Sequence, residues 1–440
     1  MKKTVNHPYL MCLLLTITVS SIAACRKTNL PEQEQPESPA TGTRQELTLD
    51  SLYLYTKHTY LWGDVLPDYD AFNPRKYTEV SSDLLNLKKE LFDLASTPKN
   101  PQTGMPYEKT NLPGLLKYSY IEQGTDANGF QAAVVQGGTA NAQGQSVTAT
   151  PNHAILTALT SGNTGYLRLT QFAHLNELTQ PLNTAFNAFS TASVNTIIVD
   201  LRDNSGGYVE TAQYLANLIA SPAMNNKVMY SQHFNSKMQQ GKAPILKNQP
   251  YLDENNKPVF LNGRMATYAD VDYSIAGNTY QFKKEGQLKT LQKLYFLVNG
   301  TTASASELLI NVLNPYFDVT LIGCQTYGKP LGSFAVKIHQ YTLYAVSFQI
   351  RNAANEGDYF QGIPVDLPST EEELGSEPAA VLDNTLILVS QLTSKKPALK
   401  TKTGQIRSVI RFSTGEKHFS QPEMIKTQLK LKRPQHQEAP

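Results

Sequence analysis

Apolar and polar positions follow two different periods along this chain. Between residues 46 and 120, Leu47, Leu49, Leu52, Leu54 and Tyr55, then Tyr60, Leu61 and Trp62, supply one apolar face. Leu84, Leu85, Leu87, Leu91, Phe92 and Leu94 recur near the helical period, so this region reads as mainly helical. From residue 164 the pattern alternates between strand and helix. Residues 166–169 read as a strand, 175–191 as a helix, 196–201 (T-I-I-V-D-L) as a strand apolar on both faces, and 208–219 as a helix. A polar stretch rich in Tyr, Asn and Lys follows at 221–291, expected as a β-ribbon or loop inserted into the core. The order then resumes with an apolar run at 294–298, a breaker at Asn299 and Gly300, and a helix over 304–314. Leu308, Leu309, Val312 and Leu313 lie on one stripe of that helix, and Pro315 follows its end. A strand at 319–322, a loop at 323–329, a strand at 343–352 and a helix at 380–392 complete the pattern. Strands alternating with helices predict an α/β core with a mixed, partly parallel sheet, preceded by a small helical subdomain.

This order puts a serine-rich turn, T-T-A-S-A-S-E, at the start of the 304–314 helix, and a lysine 25 residues after Ser304 at the end of the next strand. A serine hydroxyl is a poor nucleophile until a base takes its proton. Lysine is such a base when burial favours its neutral form. N–H groups at a helix start can hold a developing oxyanion. Each residue also has a structural reading. Ser304 and Glu307 form the S-x-x-E of a capping box, Lys329 suits a solvated surface, and Gly206-Gly207 suits a strand-to-helix turn. Other motifs fail on their own chemistry. Gly323 to Lys329 matches a phosphate-binding loop until Pro330 takes the place of the Mg²⁺-binding hydroxyl. Ser96 and Lys99 have the spacing of a serine acyl enzyme, but Pro98 interrupts the helix that pair needs. No H-E-x-x-H or C-x-x-C occurs, so no metal site is expected.

The stretch T-A-S-A-S-E, followed by I-G-C-Q-T-Y-G-K at 322–329, resembles the core of the C-terminal processing peptidases, also called tail-specific proteases. A second block, D-L-R-D-N-S-G-G from Asp200 to Gly207, resembles another motif of that family. Gly165 to Leu169 and Gly362 to Asp366 are similar to its flanking strands, so the likeness spans roughly residues 150–370. The resemblance implies a ClpP/crotonase-like core, Ser304 as nucleophile, Lys329 as base, and an oxyanion hole from the N–H groups of Gly207 and Ala305. Family members usually carry a glutamine four residues past the lysine to orient it. Ser333 stands there instead, as a possible orienting group with a shorter reach. The family also inserts a PDZ domain before the core. Only 44 residues separate Tyr120 from Gly165, so a short linker or hairpin over 121–160, pairing 132–135 with 146–150, is expected in its place.

The chain ends add an address. Lys2, Lys3 and the apolar block 10–22 read as a signal peptide over 1–24, too short to span a membrane comfortably. I-A-A-C at 22–25 resembles a bacterial lipobox, which implies lipid on Cys25 and a place in the cell envelope. Loss of Lys2 and Lys3 would leave equal numbers of basic and acidic residues, so no nucleic-acid partner is expected. Cys12 leaves with the signal, and Cys324 alone remains, expected as a buried strand-end cysteine. Residues 25–45 read as a disordered tether, 46–120 as a helical cap without chemistry of its own, and 161–394 as the core. Residues 395–440 carry eleven basic and three acidic side chains and read as a solvated tail. The expected protein is a lipid-anchored serine endopeptidase acting on peptides or unfolded proteins, with no cofactor. The alternative is a non-catalytic peptide-binding lipoprotein of the same fold.

Overall fold

The computed structural model describes residues 37–78, 81–110, 113–124, 155–159, 163–253 and 257–375, with parts of 381–388 and residues 425–426 and 429–432. The signal peptide, Cys25, most of the tether and the 132–150 hairpin lie outside them. Two helices open the described chain, α1 (Arg44–Thr59) and α2 (Asp83–Ala95). They pack through Leu49, Leu52, Leu87, Leu91 and Leu94, all buried. Thr43 and Glu46 close a capping box on α1, which fixes where that helix begins. After irregular chain comes a strand, β1 (Tyr120–Gln123).

The core is a six-stranded sheet. Its members are β2 (Ile155–Leu159), β3 (Thr164–Leu169), β4 (Thr196–Asp200), β7 (Lys293–Val298), β8 (Val319–Gly323) and β13 (Leu367–Pro368). Their spatial order is β13-β8-β7-β4-β3-β2. All neighbours run parallel except the edge pair β2 and β3. Ile197, Ile198, Val199, Leu294, Phe296 and Leu297 are fully buried, which is why these strands read as continuous apolar runs. Helices α3 (Leu175–Thr191), α4 (Val209–Ile219) and α5 (Ala305–Leu313) cover the sheet, with α4 packed on both others.

A second sheet sits beside the core. It takes in β5 (Val228–Phe234) and β6 (Thr279–Gln281) from the insertion, β9 (Leu331–Ser333), β12 (Phe348–Asn352) and β14 (Ile425–Lys426). The insertion is therefore part of a sheet rather than a separate ribbon. β5 pairs with β12 over five residues, Phe348 opposite Phe234. The single strand expected at 343–352 is two, β11 (Tyr341–Tyr344) and β12, and β11 pairs with β1 and with β10 (Val336–Ile338). The break falls where Val346 N–H leaves the ladder for Ser119 Oγ at 3.1 Å. Residues 362–366 are not a strand either. Their hydrogen bonds go to the neighbouring loop and to β8, as Asp366 N–H does to Leu321 O at 2.9 Å.

The basic tail is not free in solvent where it is described. Ile425 and Lys426 pair with Gly332 and Ser333. Leu431 bridges Val271, and Lys430 O accepts Asp272 N–H at 2.8 Å. The alternation L-K-L-K at 429–432 explains this: Leu429 is buried against the insertion while Lys430 lies over the Tyr280 ring.

Candidate active site

Three loops leave the carboxyl ends of three adjacent parallel strands, β4, β7 and β8. In open parallel sheets this edge is where ligands bind, because neighbouring loops converge there. The β4 loop carries Gly206 and Gly207, the β7 loop leads into Ser304, and the β8 loop leads to Lys329.

Asn204 docks the first loop on the second. Its Oδ1 accepts Gly206 N–H at 2.9 Å, and its carbonyl accepts Ala303 N–H and Ser306 Oγ, both at 3.1 Å. Gly206 then lies directly against the serine. A Cβ at Gly206 would sit 2.7 Å from Ser304 Cβ and 2.9 Å from Ala303 O, and φ is +111°. A Cβ at Gly207 (φ +133°) would sit 2.1 Å from Phe172 O. Both positions therefore require glycine. The N–H groups of Gly207 and Ala305 donate no hydrogen bond among the described residues.

Ser304 is the N-cap of α5, with φ +59° and ψ −115°. That is a strained backbone for a residue with a Cβ, and such strain gathers at functional sites. The hydroxyl does not cap the helix. Its Oγ is fully buried with no hydrogen-bond partner. The Glu307 N–H faces it as in a capping box but is not in hydrogen-bonding geometry, so the hydroxyl is left uncommitted at a helix N-terminus.

Glu307 does the rest of the organising. It is fully buried, and four donors converge on its carboxylate. Oε1 accepts Thr326 Oγ1–H at 2.5 Å and Gly328 N–H at 2.7 Å. Oε2 accepts Lys329 N–H at 2.7 Å and Ser304 N–H at 3.1 Å. Burial pushes this carboxyl above its ordinary range, while the bonds from Thr326, Lys329, Gly328 and Ser304 pull it back. Sequence reasoning saw Glu307 only as a capping residue, although its place in T-A-S-A-S-E was the available signal. Asn204, Gly206 and Thr326 were also missed as organisers, each inside a motif block.

Lys329 is 2% exposed, which sets aside the solvated-surface reading. Ser333 lies in β9 with its Oγ buried and without a hydrogen-bond partner. Cys324 is half-buried rather than buried, its Sγ 3.8 Å from Ser369 O, and burial raises its thiol pKa. A thiol so placed stays protonated and is a poor nucleophile.

An α/β core with a strained serine at a helix N-terminus, a buried lysine on the next loop and two N–H groups that donate no hydrogen bond among the described residues is the kind of arrangement that acyl-transfer enzymes use. Residues 163–368 match the model of peptidase family S41, and the resemblance read in the two motif blocks holds for that stretch. No curated protein matches the chain. Among solved structures, it is similar to a protein from Bacteroides fragilis titled as an S41 protease (17% identity, 82% of this chain and 100% of that one, TM-score 0.47). It is also similar to the photosystem II D1 C-terminal processing protease (14%, 78% and 97%, 0.46) and to a lipoprotein from Streptococcus agalactiae (10%, 80% and 99%, 0.44).

Proposed function

We propose that this protein is a serine endopeptidase, tethered to the cell envelope by lipid on Cys25, that hydrolyses peptide bonds through Ser304 and Lys329. Lys329, in its neutral form, takes the Ser304 proton. Ser304 Oγ attacks the peptide carbonyl carbon. The N–H groups of Gly207 and Ala305 stabilise the oxyanion, and the C–N bond breaks as the proton passes from Lys329 to the leaving amine. Water, deprotonated by the same lysine, then cleaves the ester and frees Ser304.

The observation that carries this reading is the Glu307 carboxylate, one oxygen of which accepts the backbone N–H of both Ser304 and Lys329. It fixes the two loops on one another around an uncommitted hydroxyl. Supporting it, the N–H groups of Gly207 and Ala305 donate no hydrogen bond among the described residues, and Gly206, beside Gly207, lies against that serine.

One observation favours the second reading, a non-catalytic peptide-binding lipoprotein. Ser304 is wholly out of contact with solvent, so a peptide reaches it only after local opening. A serine-reactive fluorophosphonate separates the two. The enzyme forms a covalent adduct that maps to Ser304 by mass spectrometry, and the binding protein forms none there.

A further inference from the structure

Lys117 and Tyr118 come from the irregular chain between α2 and β1, in the helical cap expected to have no part in the chemistry. Both reach the loop that carries Lys329. Lys117 Nζ donates to Tyr327 O at 3.1 Å and Phe360 O at 2.7 Å. Tyr118 Oη donates to Gly328 O at 2.7 Å and lies 3.3 Å from Phe360 O. The Gly328 residue is thus gripped from both sides: its N–H by Glu307 and its C=O by Tyr118. The residue that follows is Lys329.

The grip is stiff at both ends. A Cβ on Gly328 (φ +90°) would lie 2.4 Å from Gly362 N and 2.5 Å from Phe360 O, so the loop has no slack there. On the other side, Glu108 fixes the Lys117–Tyr118 segment. Its buried carboxylate accepts Tyr118 N–H at 2.7 Å, Ser119 N–H at 3.2 Å, Ser119 Oγ at 2.6 Å and Tyr60 Oη at 3.2 Å. Trp62 stacks on Tyr107 with centroids 4.0 Å apart, and Tyr107 packs edge-on against Phe360 at 5.1 Å, on the stretch that Lys117 also holds.

We infer that Lys117 and Tyr118 are positioning residues for Lys329, and that the N-terminal helical region is an integral part of the active site. This rests on the proposed Ser304–Lys329 chemistry. A base displaced by about 1 Å loses up to about a hundredfold in rate, whereas peptide binding needs no such placement. Burial brings the Lys117 amine down to about 8, consistent with a side chain enclosed between cap and loop.

The test uses the full chain with Tyr118→Phe and, as a second variant, Lys117→Met. Hydrolysis of one unstructured peptide is followed across pH, beside wild type and Ser304→Ala. The inference expects kcat to fall about tenfold or more in Tyr118→Phe, with KM unchanged and a melting transition like that of wild type. It also expects the rising limb of the pH–rate profile to move upward in pH, which a purely structural loss would not do. If Tyr118→Phe fails to fold, the same pattern is expected of Lys117→Met. Wild-type kcat and pH profile in a folded variant, or a loss confined to KM, overturns the inference. If Ser304→Ala keeps wild-type activity, the underlying reading fails instead, so the two failures are told apart.

Discussion

Ser304 and Lys329 share one hydrogen-bond acceptor: the Oε2 atom of Glu307 takes the backbone N–H of the first at 3.1 Å and of the second at 2.7 Å. The two residues are 25 apart in sequence and on different loops. Their relative position is therefore set by one buried carboxylate rather than by either loop alone.

Glu307→Gln should separate stability from catalysis only partly. One of the two oxygens becomes an NH₂ group facing two donors, which leaves buried N–H or O–H groups unsatisfied. At about 1–3 kcal/mol for each such group, a loss of ~3 kcal/mol in unfolding free energy is expected. The rate should fall at least about tenfold as Ser304 and Lys329 lose their common anchor. Chemical denaturation and kcat measured on the same preparation check both.

Gly206→Ala should inactivate without touching a reacting group. Its Cβ would lie 2.7 Å from Ser304 Cβ at a φ of +111°. The serine must move, or the β4 loop must. A fall of about a hundredfold in kcat/KM is expected, with a backbone cost of about 1–3 kcal/mol read from thermal melts.

Glu90, on α2, should be a pH-dependent weakness in the helical region. Both of its carboxylate oxygens are buried and lack a hydrogen-bond partner. Burial, followed by the charge of Asp50, pushes its pKa well above the ordinary value, against a smaller opposing effect of Lys76. The folded protein thus holds this proton more tightly than the unfolded chain. The contribution to stability is present at low pH and is lost as pH rises from the ordinary carboxyl value through the raised one. Glu90→Met should therefore raise Tm by a few degrees, and by more at pH ~8 than at pH ~5. An equal gain at both pH values would contradict the assignment.

Lys329→Arg should be inactive at every pH, because guanidinium does not give up its proton in proteins. Wild type should show a rate that rises with pH as Lys329 becomes neutral. Rate profiles of the two proteins on one peptide check this. An active arginine variant would move the search for a base to the histidines.

Much of this was legible in the sequence because the core strands are buried on both faces. Runs such as T-I-I-V-D at 196–200 and K-L-Y-F-L-V at 293–298 leave no ambiguity of face. The helix at 175–191 was legible in full from its period. The motif spacing singled out Ser304 and Lys329, whose backbone N–H groups the fold brings to one carboxylate oxygen. What was not legible depends on contacts between distant residues. Tyr118 and Gly328 are 210 positions apart, and no local period encodes their hydrogen bond. The insertion read only as a β-ribbon or loop because V-M-Y-S-Q-H-F at 228–234 mixes polar and apolar residues, and its place in the second sheet comes from pairing with β12. Ser304 was equally ambiguous. A capping serine and a nucleophile share the same S-x-x-E, and no local pattern encodes the positive φ and the Oγ without a hydrogen bond that the fold gives it.

The most direct test of the account is the hydrolysis of one unstructured peptide by wild type and by Ser304→Ala. The fold should survive the substitution, since Oγ makes no hydrogen bond that would be lost. The account predicts cleavage by wild type and a loss of several orders of magnitude in kcat, about 10⁴-fold or more, in the alanine variant at an unchanged melting temperature. Cleavage by Ser304→Ala at the wild-type rate would contradict it and return Ser304 to the role of a strained helix cap.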